Sequence, residues 1–513
     1  MAAIWARVLG VEVDGVGPDA DFFELGGHSL LATQVIAQVR DEFGTETPLR
    51  AIFQAPTLGA LAAVVEAEAV GAEAGPPLVG RPHEPGERFP LSLAQEQMWG
   101  LETAAVPQGL YNITALHRFQ EPVDPDALRR ALAYVVDRHE ILRCGVIVED
   151  GQPWQFLARS APVDLELAAV GDDELQSRIG DQDALPFDLA RPPLLRAGLY
   201  TLDARSHRLA VTLDHLVCDG TGAAIFMSEL LAAYEAEVSG RAPSLPPLPV
   251  QFTDFAEWQR SHVTEEVQRR QLAWWTGVLD GMPLGPVVPF DHVPDVPTRR
   301  IASRPVSIGP RARDLLDEVA RATGATVFTV AVAAAGALFG RRGTSTDVVM
   351  STTLSGRTRA ELEDLVGMFS GIGRLRTDLS GDPTFSEIVT RARERVLGMF
   401  DNQDIPFMRV RRALLPDFPT EGPEVAAALP VEFQYFHVSQ DQELFFRGQL
   451  HPLSLTLLDD GTCIAGEWSY KLDYYEPSTV EGLAVDLERL LDAVGADPSL
   501  RFSELPVTQA GRR

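Results

Sequence analysis

The sequence has few cysteines, no long apolar run and no excess of positive charge, and each of these absences excludes a class of protein. The three cysteines, Cys144, Cys218 and Cys463, are too scattered for a disulfide framework or a zinc site. The longest apolar run, Val327 to Phe339, is shorter than the ~20 residues that a membrane-spanning helix needs. Lys and Arg number 44 against 73 Asp and Glu, and the net charge of −29 disfavours binding to nucleic acid.

The N-terminus also lacks the basic region that opens a secretory signal peptide. Together with the unpaired cysteines, this predicts a reducing, cytoplasmic location without membrane attachment. At 513 residues the chain is too long for one ordinary core, and we expect about two to four domains.

The most informative stretch is a strand pattern that runs into a group of titratable residues and then into a helix pattern. Apolar and polar residues alternate over 209–213, which predicts a half-buried strand, and apolar residues recur at helical spacing over 223–238. The turn between them carries Asp214, His215 and Asp219. A turn at the edge of a sheet is a common place for catalytic residues, although a single histidine there is also compatible with a hydrogen-bonded core residue. These residues by themselves suggest a His/Asp site and no more.

The composition changes at about residue 70. Proline and glycine are dense in residues 71–88, interrupt the periodic pattern and predict a flexible linker. Residues 1–70, before it, have apolar residues at helical spacing and predict a short helical bundle.

Within residues 1–70, a Gly-Gly pair lies directly before a predicted helix that starts at Ser29. A serine at this position commonly caps the helix. The N–H groups and the dipole of the first turn would also stabilise a phosphodiester attached to Ser29. Both interpretations remain open from these residues alone.

The run Phe22-Phe-Glu-Leu-Gly-Gly-His-Ser-Leu30 resembles the attachment motif of peptidyl carrier proteins from nonribosomal peptide synthetases, and the resemblance extends over residues 1–70. It implies that Ser29 bears a covalent 4′-phosphopantetheine arm, whose thiol holds an amino acid or peptide as a thioester. It also implies a phosphopantetheinyl transferase and neighbouring adenylation domains as partners. His28 is interpreted as a surface neighbour of the modified serine.

From Phe89 onward the chain resembles a condensation domain of the same synthetases. Six stretches match the motifs of that family in the expected order, namely 91–99, 138–143, 214–220, 252–258, 366–369 with Arg376, and 402–407. The resemblance implies two α/β lobes of chloramphenicol-acetyltransferase-like fold, over 89–265 and 266–513, with the active site in a tunnel between them. The predicted architecture is therefore a small all-α carrier bundle, a linker and a two-lobed α/β condensation domain. Because no stretch resembles an adenylation domain, we expect an excised didomain of a longer synthetase.

The resemblance also implies the reaction. The amine of an acceptor aminoacyl carrier attacks the thioester on a donor carrier, and a peptide bond forms. His215 takes the central position, either as a general base or as a group that orients the amine, and its ordinary pKa of ~6.5 suits both roles. Gly220 is expected to let the backbone approach the reacting carbonyl. Asp219 is expected to form a structural ion pair, with Arg376 as the first candidate partner and Arg143 as the second.

The chain departs from the family pattern at several positions. Asp214 stands where the first histidine of the active-site motif is usual, Gly371-Ile372 replace Asn-Thr, and Met408 replaces a common glutamate. None of these changes removes His215 or Asp219.

Two main alternatives to peptide-bond formation remain open, and epimerisation is a third that the sequence favours less. The spacing of Asp214 and Asp219 is that of heterocyclisation domains, which condense and then cyclise Ser, Thr or Cys. Those domains normally lack the histidine that matches His215, and they have a serine where this chain has Gly222. The second alternative is a catalytically inert platform that recruits partner enzymes, for which degenerate motifs are a warning.

Overall fold

The N-terminal part of the chain is a helical bundle, as predicted. The computed structural model describes residues 1–23, 25–27, 29–45, 47–48, 50–69, 77–103, 109, 111–294, 300–343, 345–418, 428–437 and 451–508. The helices of the bundle are α1 (Ala2–Leu9), α2 (Ser29–Phe43), α3 (Arg50–Gln54) and α4 (Leu58–Ala69). Trp5, Phe22, Ile52 and Leu61 are fully buried in its core. Helix α3 is too short for its periodicity to be visible in the sequence.

The described part of the predicted linker, residues 77–88, packs on the large domain. Leu78 is buried in the core of the first lobe, and the side chain of His83 is buried between two carboxylates. The Nδ1 of His83 lies 2.6 Å from Glu140, and its Nε2 lies 3.1 Å from Asp254. The prediction of a flexible linker is therefore wrong for residues 77–88, because this segment, rich in proline and glycine, packs on the surface of the first lobe. Residues 71–76 lie outside the described residues.

The first lobe contains two sheets with helices packed on them. Its elements are β1 (Arg88–Pro90), α5 (Leu93–Glu102), β2 (Ile113–Phe119), α6 (Pro125–Arg138), β3 (Cys144–Glu149), β4 (Gln152–Leu157), β5 (Leu165–Ala169), α7 (Asp172–Ala184), β6 (Leu195–Asp203), β7 (Ser206–Leu213), α8 (Gly220–Val238) and α9 (Phe252–His262). One sheet has the order β2-β7-β6-β5, with only β5 and β6 parallel, and the other is antiparallel with the order β1-β4-β3. The strand over 209–213 and the helix over 223–238 are both confirmed, but the prediction of a half-buried strand is wrong, because all five residues from Leu209 to Leu213 are buried.

The second lobe is built around one mixed sheet of six strands. Its elements are α10 (Glu265–Leu279), β8 (Ile301–Ile308), α11 (Pro310–Thr323), α12 (Val327–Arg342), β9 (Asp347–Leu354), β10 (Gly371–Asp378), α13 (Phe385–Asp401), α14 (Phe407–Leu414), β11 (Val431–His437), β12 (Leu453–Asp459), β13 (Ile464–Lys471) and α15 (Pro477–Ala496). The strand order is β10-β9-β11-β12-β13-β8, and β11 runs parallel to both of its neighbours.

The longest apolar run of the sequence forms α12, which lies in the core of this second lobe. Among the described residues, no single helix is long and apolar enough to cross a membrane. Helices α11 and α12 reach the required length and composition only as a pair, and they are bent by 101° relative to each other.

A crossover segment, residues 355–370, joins the two lobes. It leaves the six-stranded sheet after β9, returns to it as β10, and buries Leu362, Leu365, Val366 and Phe369 in the core of the first lobe. Because these side chains are surrounded by residues of the first lobe, the segment fixes part of the second lobe beside the end of β7.

The carrier bundle contacts the crossover segment and α13. Leu397 of α13 is buried within the core cluster of the bundle. The hydrogen bonds across this contact run from Gln34 Nε2 to Glu363 Oε2 (3.2 Å), from an Arg40 guanidinium N–H to Thr358 O (3.1 Å) and from an Arg393 guanidinium N–H to Phe53 O (2.8 Å). Helix α2, which begins at Ser29, is therefore docked against the segment that joins the lobes.

Candidate active site

The candidate site is the turn between β7 and α8. Asp214 ends the strand: its N–H donates to Leu194 O over 3.0 Å, and its Oδ1 accepts from the Leu216 N–H over 2.8 Å. This local bond closes the turn over His215, and the Val217 N–H closes it further by donating to Asp214 O. Asp214 therefore shapes the turn, and its side chain is buried.

His215 is held in one orientation and in one tautomer. Its Nδ1 lies 2.9 Å from Cys218 O, and because a carbonyl oxygen only accepts, Nδ1 must carry the hydrogen. The Nε2 of the neutral ring is then an acceptor. Burial lowers the pKa of His215, although the charge of Asp219 and backbone hydrogen bonds oppose this effect. The ring is therefore neutral near pH 7, as a proton acceptor must be.

Asp219 holds the two lobes together. Its carboxylate accepts five hydrogen bonds, from the guanidinium of Arg357 (2.9 and 3.1 Å), Gly222 N–H (2.7 Å), Phe369 N–H (3.1 Å) and Ser370 N–H (3.1 Å). The Gly222 bond caps α8, whereas the other four come from the crossover segment. Asp219 thus forms a buried ion pair, and its partner is Arg357; its structural role stays a prediction.

The predicted pairing of Asp219 with Arg376 is wrong. Arg376 lies in β10 and forms a two-pronged ion pair with Asp347, the first residue of β9, over 2.8 and 2.7 Å. Arg143, the second candidate, donates to Ala158 O over 3.3 Å instead. Arg357 reaches Asp219 because the crossover segment leaves the sheet directly after β9. In the sequence, Arg357 is marked only by its place in a Ser-Gly-Arg run at the end of a predicted strand.

Residues of two other matched motifs contact the turn or the elements next to it. Gln95 of α5 donates to Leu216 O over 3.0 Å. His139 contacts Glu229 of α8 over 2.7 Å and accepts from the Val366 N–H over 3.4 Å. The first two sequence motifs thus act through packing and hydrogen bonds on the turn and on the crossover segment.

The glycines of the site differ in how much space a Cβ atom would have at each position. A Cβ at Gly222 would lie 3.1 Å from the Sγ of Cys218 and 3.2 Å from the N of Gly367, so a serine does not fit without a shift. A Cβ at Gly371 would lie 3.9 Å from the nearest neighbour, so this departure from the family pattern is sterically neutral. Gly220 begins α8, and its expected approach to the reacting carbonyl remains a prediction.

A second carboxyl group lies at the turn. The charge of Asp214 acts on Glu102, the last residue of α5. Burial, together with the charge of Asp214, raises the pKa of Glu102 to about 9, and burial raises the pKa of Asp214 to about 6. The sequence contained no signal for this pair, because Glu102 looks like an ordinary residue at the end of a helix.

The start of α2 fits a phosphopantetheine group. The helix begins at Ser29, and its first turn contains no acidic residue that would oppose a phosphodiester. Gly27 is required by close packing, because a Cβ would collide with the ring of Phe22. His28 lies outside the described residues. No group of three or more His, Cys, Asp or Glu side chains within the described ranges could hold a metal ion.

Comparison with known families then identifies the two parts. The family described as the condensation domain matches residues 86–512, and the phosphopantetheine attachment site matches residues 1–65. The chain belongs to the condensation domain family. The predicted carrier and condensation domain are thereby confirmed, and so is phosphopantetheine as the cofactor of the carrier. The roles of Ser29 and His215 remain predictions.

The similar curated proteins are nonribosomal peptide synthetases. The condensation didomain is 32% identical to one of the linear gramicidin synthase proteins of Brevibacillus parabrevis, over 100% of this chain and 7% of that protein. It is 33% identical to the dimodular nonribosomal peptide synthase of Bacillus subtilis, over 98% of this chain and 22% of that protein. The chain spans about a tenth or less of the length of the first curated relatives.

Solved structures confirm the predicted two-lobed α/β fold. The complex of the X-domain and OxyB from teicoplanin biosynthesis gives a TM-score of 0.75 at 29% identity, covering 86% of this chain and 100% of the other. The first condensation domain of the calcium-dependent antibiotic synthetase gives a TM-score of 0.68 at 22% identity, covering 82% of this chain and 100% of the other, and at that identity it supports the fold alone.

Proposed function

We propose that the didomain forms a peptide bond between a donor held by its own carrier and an amine held by a second carrier. The observation that carries this proposal is the state of His215. A neutral imidazole with an acceptor nitrogen is fixed by Cys218 O in a turn that Asp219 ties to both lobes. An amine that approaches between the lobes would find a hydrogen-bond acceptor there.

The protein has to orient the amine and the thioester and to provide an acceptor for one proton. The acceptor amine forms a C–N bond to the thioester carbonyl carbon, the C–S bond breaks, and the proton lost by the nitrogen ends on the departing sulfur. His215 Nε2 accepts the amine N–H and either orients the lone pair or takes that proton. Because a thiolate is a good leaving group, we assign His215 a contribution of ~10²–10⁴-fold.

Ser29 is the proposed attachment residue, and the arm supplies a flexible thioester when it is bound. The start of α2 stabilises the phosphodiester, because its first-turn N–H groups are not offset by a carboxylate. A phosphopantetheinyl transferase and adenylation domains are the partners that would install the arm and load it. Both steps fit the cytoplasmic location that the unpaired cysteines favour.

The docked carrier is proposed to be the donor. Helix α2 contacts the crossover segment at Glu363 and Thr358, and the same segment supplies Arg357 to Asp219. The carrier therefore rests on the element that braces the turn of His215. The acceptor carrier would approach as a separate partner.

Heterocyclisation is supported less well by these contacts. Asp214 is buried and accepts a hydrogen bond from the Leu216 N–H, so its carboxylate is engaged in the fold. The tight space at Gly222 also disfavours the serine that the cyclising domains have at that position. The second candidate function is a partner-recruiting platform, for which the one point of contact is the 29% identity to an X-domain solved in complex with OxyB.

The test is a condensation assay with defined substrates. Ser29 is loaded with an aminoacyl arm, a separately loaded acceptor carrier is added, and the products are released and identified by mass spectrometry. We expect a linear dipeptide that disappears in Ser29→Ala. A cyclised product would favour heterocyclisation, and two loaded carriers that give no product would favour the platform.

A further inference from the structure

The six-stranded sheet of the second lobe has an apolar face and a polar face. Leu375 of β10 lies in the core of this lobe, so Arg374, the residue before it, lies on the opposite face. The residues paired with Arg374 across the sheet share that face, and every one of them is polar. In sheet order this row consists of Arg374, Ser351, Glu432, Ser454, Ser469 and Ser303. All six strands therefore present a hydrogen-bonding group on the face that turns away from the core.

Arg374 is the charged residue at the end of this row, and it is 8% exposed. Its Nη1 donates to Ser351 Oγ over 2.6 Å and to Gly373 O over 3.2 Å. Its guanidinium lies 3.9 Å from the centre of the Phe407 ring, so one face of the group is covered. Within the described ranges, no acceptor bonds to its Nε or Nη2. Two donor groups of a buried cation are therefore available to a ligand.

Arg374 also lacks a counter-ion in the part of the chain that the structure describes. Glu432, the acidic residue of the row, accepts from Ser454 Oγ and Gln434 Nε2, each over 3.0 Å, and forms no ion pair with Arg374. By contrast, the buried Arg357 holds a carboxylate over 2.9 and 3.1 Å. Burial lowers the pKa of Arg374 to about 9, although the charge of Glu432 opposes this effect. A buried cation of this kind is costly unless an anion joins it.

Arg374 lies on the strand that starts beside the active-site turn. The Ser370 N–H donates to Asp219 over 3.1 Å, and β10 begins at the next residue. At ~3.3 Å per residue, Arg374 is ~13 Å along the chain from Ser370. Ile372 lies between them, on the same face as Arg374, and its side chain is exposed. This face therefore leads from the turn over an exposed apolar side chain to the buried guanidinium.

The ring that covers Arg374 comes from a contact between the lobes. Phe407 begins α14, and the N–H of the next residue, Met408, donates to Gln97 Oε1 of α5 over 3.1 Å. Helix α5 belongs to the first lobe. Arg374 therefore lies close to the boundary between the lobes, which is also where the turn of His215 lies.

We propose that Arg374 binds a carboxylate side chain of one of the two aminoacyl groups and so determines which substrates are condensed. A guanidinium presents its N–H donors in a planar fork, and a carboxylate accepts two of them at once. The exposed Ile372 would contact the aliphatic part of the same side chain. An aminoacyl group with a neutral side chain would leave the buried charge without a counter-ion. This inference rests on the proposed condensation function and names a class of substrate for it.

The experiment measures single-turnover condensation by the full chain with acidic substrates and their amides. The arm on Ser29 and the arm of the acceptor carrier are loaded in turn with aspartate or asparagine, and with glutamate or glutamine, while the other arm carries alanine. We expect at least one carboxylate to react ~10–100-fold faster than the amide of equal size. The arm on which this preference occurs shows whether the donor or the acceptor is recognised. Arg374→Gln should bring the ratio of the two rates close to one.

Arg376→Gln is the matched control. Arg376 lies on the same strand and the same face, but it is paired with Asp347 over 2.8 and 2.7 Å. This variant should keep the preference of the wild type. Should Arg374→Gln fail to fold, Arg374→Lys retains the charge without the planar fork, and the preference should fall in that variant as well.

Equal rates for acid and amide on both arms, in a wild type that forms dipeptides, would overturn the inference. A wild type that forms no dipeptide from any pair would contradict the proposed function instead, and binding then decides the role of Arg374. The probes are the pantetheine amides of the same four amino acids, in which nitrogen replaces the thioester sulfur, and the readout is the thermal unfolding midpoint. An acidic probe should raise the midpoint of the wild type more than its amide does, and this difference should vanish in Arg374→Gln. Equal shifts for acid and amide in the wild type would again overturn the inference.

Discussion

Arg357 and Asp219 form a buried, two-pronged ion pair over 2.9 and 3.1 Å, and they come from different lobes. The Arg357 guanidinium also donates to Leu365 O and lies 4.4 Å above the ring of Phe369. Each partner is therefore fixed by further contacts within the crossover segment. The pair connects the two lobes next to His215 and thereby keeps His215 beside the second lobe.

Loss of either partner of this pair should destabilise the fold strongly. Asp219→Ala and Arg357→Ala each leave a buried charge without its counter-ion, and we expect a loss of ~3–5 kcal/mol in the free energy of unfolding. Denaturant unfolding of both single variants and of the double variant measures the coupling between them. Arg376→Ala is the control, because Arg376 is more exposed and bonds elsewhere. A larger loss in the control than in Arg357→Ala would contradict this assignment.

His215→Ala should separate chemistry from stability. The residue is not among the fully buried ones, and the hydrogen bond to Cys218 O is made at the edge of the turn by Nδ1, so the melting temperature should change little. Dipeptide formation in a single turnover should fall by ~10²–10⁴-fold. Full activity in a folded variant would exclude His215 from the proton transfer and from the orientation of the amine.

The pH dependence of condensation should reflect the lowered pKa of His215. Protonation removes the acceptor lone pair of Nε2, so the rate should fall on the acid side. Because burial lowers the pKa, this fall should occur below the ordinary value of ~6.5. Single-turnover rates between pH 5 and 8 with a preloaded carrier measure the midpoint. A midpoint above the ordinary value would show that a negative charge, and not burial, dominates at His215.

Ser29→Ala should abolish attachment of the arm. The start of α2 is the helix N-terminus to which the attachment motif maps, and alanine removes the nucleophilic oxygen. Intact-protein mass spectrometry after treatment with a phosphopantetheinyl transferase should show no added mass. Ser239→Ala, which changes the residue after α8, is a control that should be modified normally.

His83→Ala should destabilise the first lobe even though it changes the predicted linker. It would leave Glu140 and Asp254 facing each other without the imidazole between them. We expect a loss of ~1–3 kcal/mol in the free energy of unfolding. His292→Ala, which changes an exposed histidine paired with Glu476, should cost much less. Equal stability of the two variants would support the flexible linker over its whole length.

The local parts of the site could be predicted from the amino-acid sequence. Alternation over 209–213 and helical spacing over 223–238 placed His215 between a strand and a helix, and both elements are present. The Gly-Gly pair before Ser29 likewise marked the start of α2. These features depend on residues close together in the chain, and propensity and periodicity report on such residues directly.

The partners of the site residues depend on contacts between distant parts of the chain. Arg357 lies 138 positions from Asp219, and it reaches that residue because the crossover segment buries its apolar side chains in the first lobe. His83 is buried because a proline-rich segment fits the surface of the first lobe. Contacts of this kind depend on the path of the chain through space, and the spacing of residue types along the sequence does not contain that path.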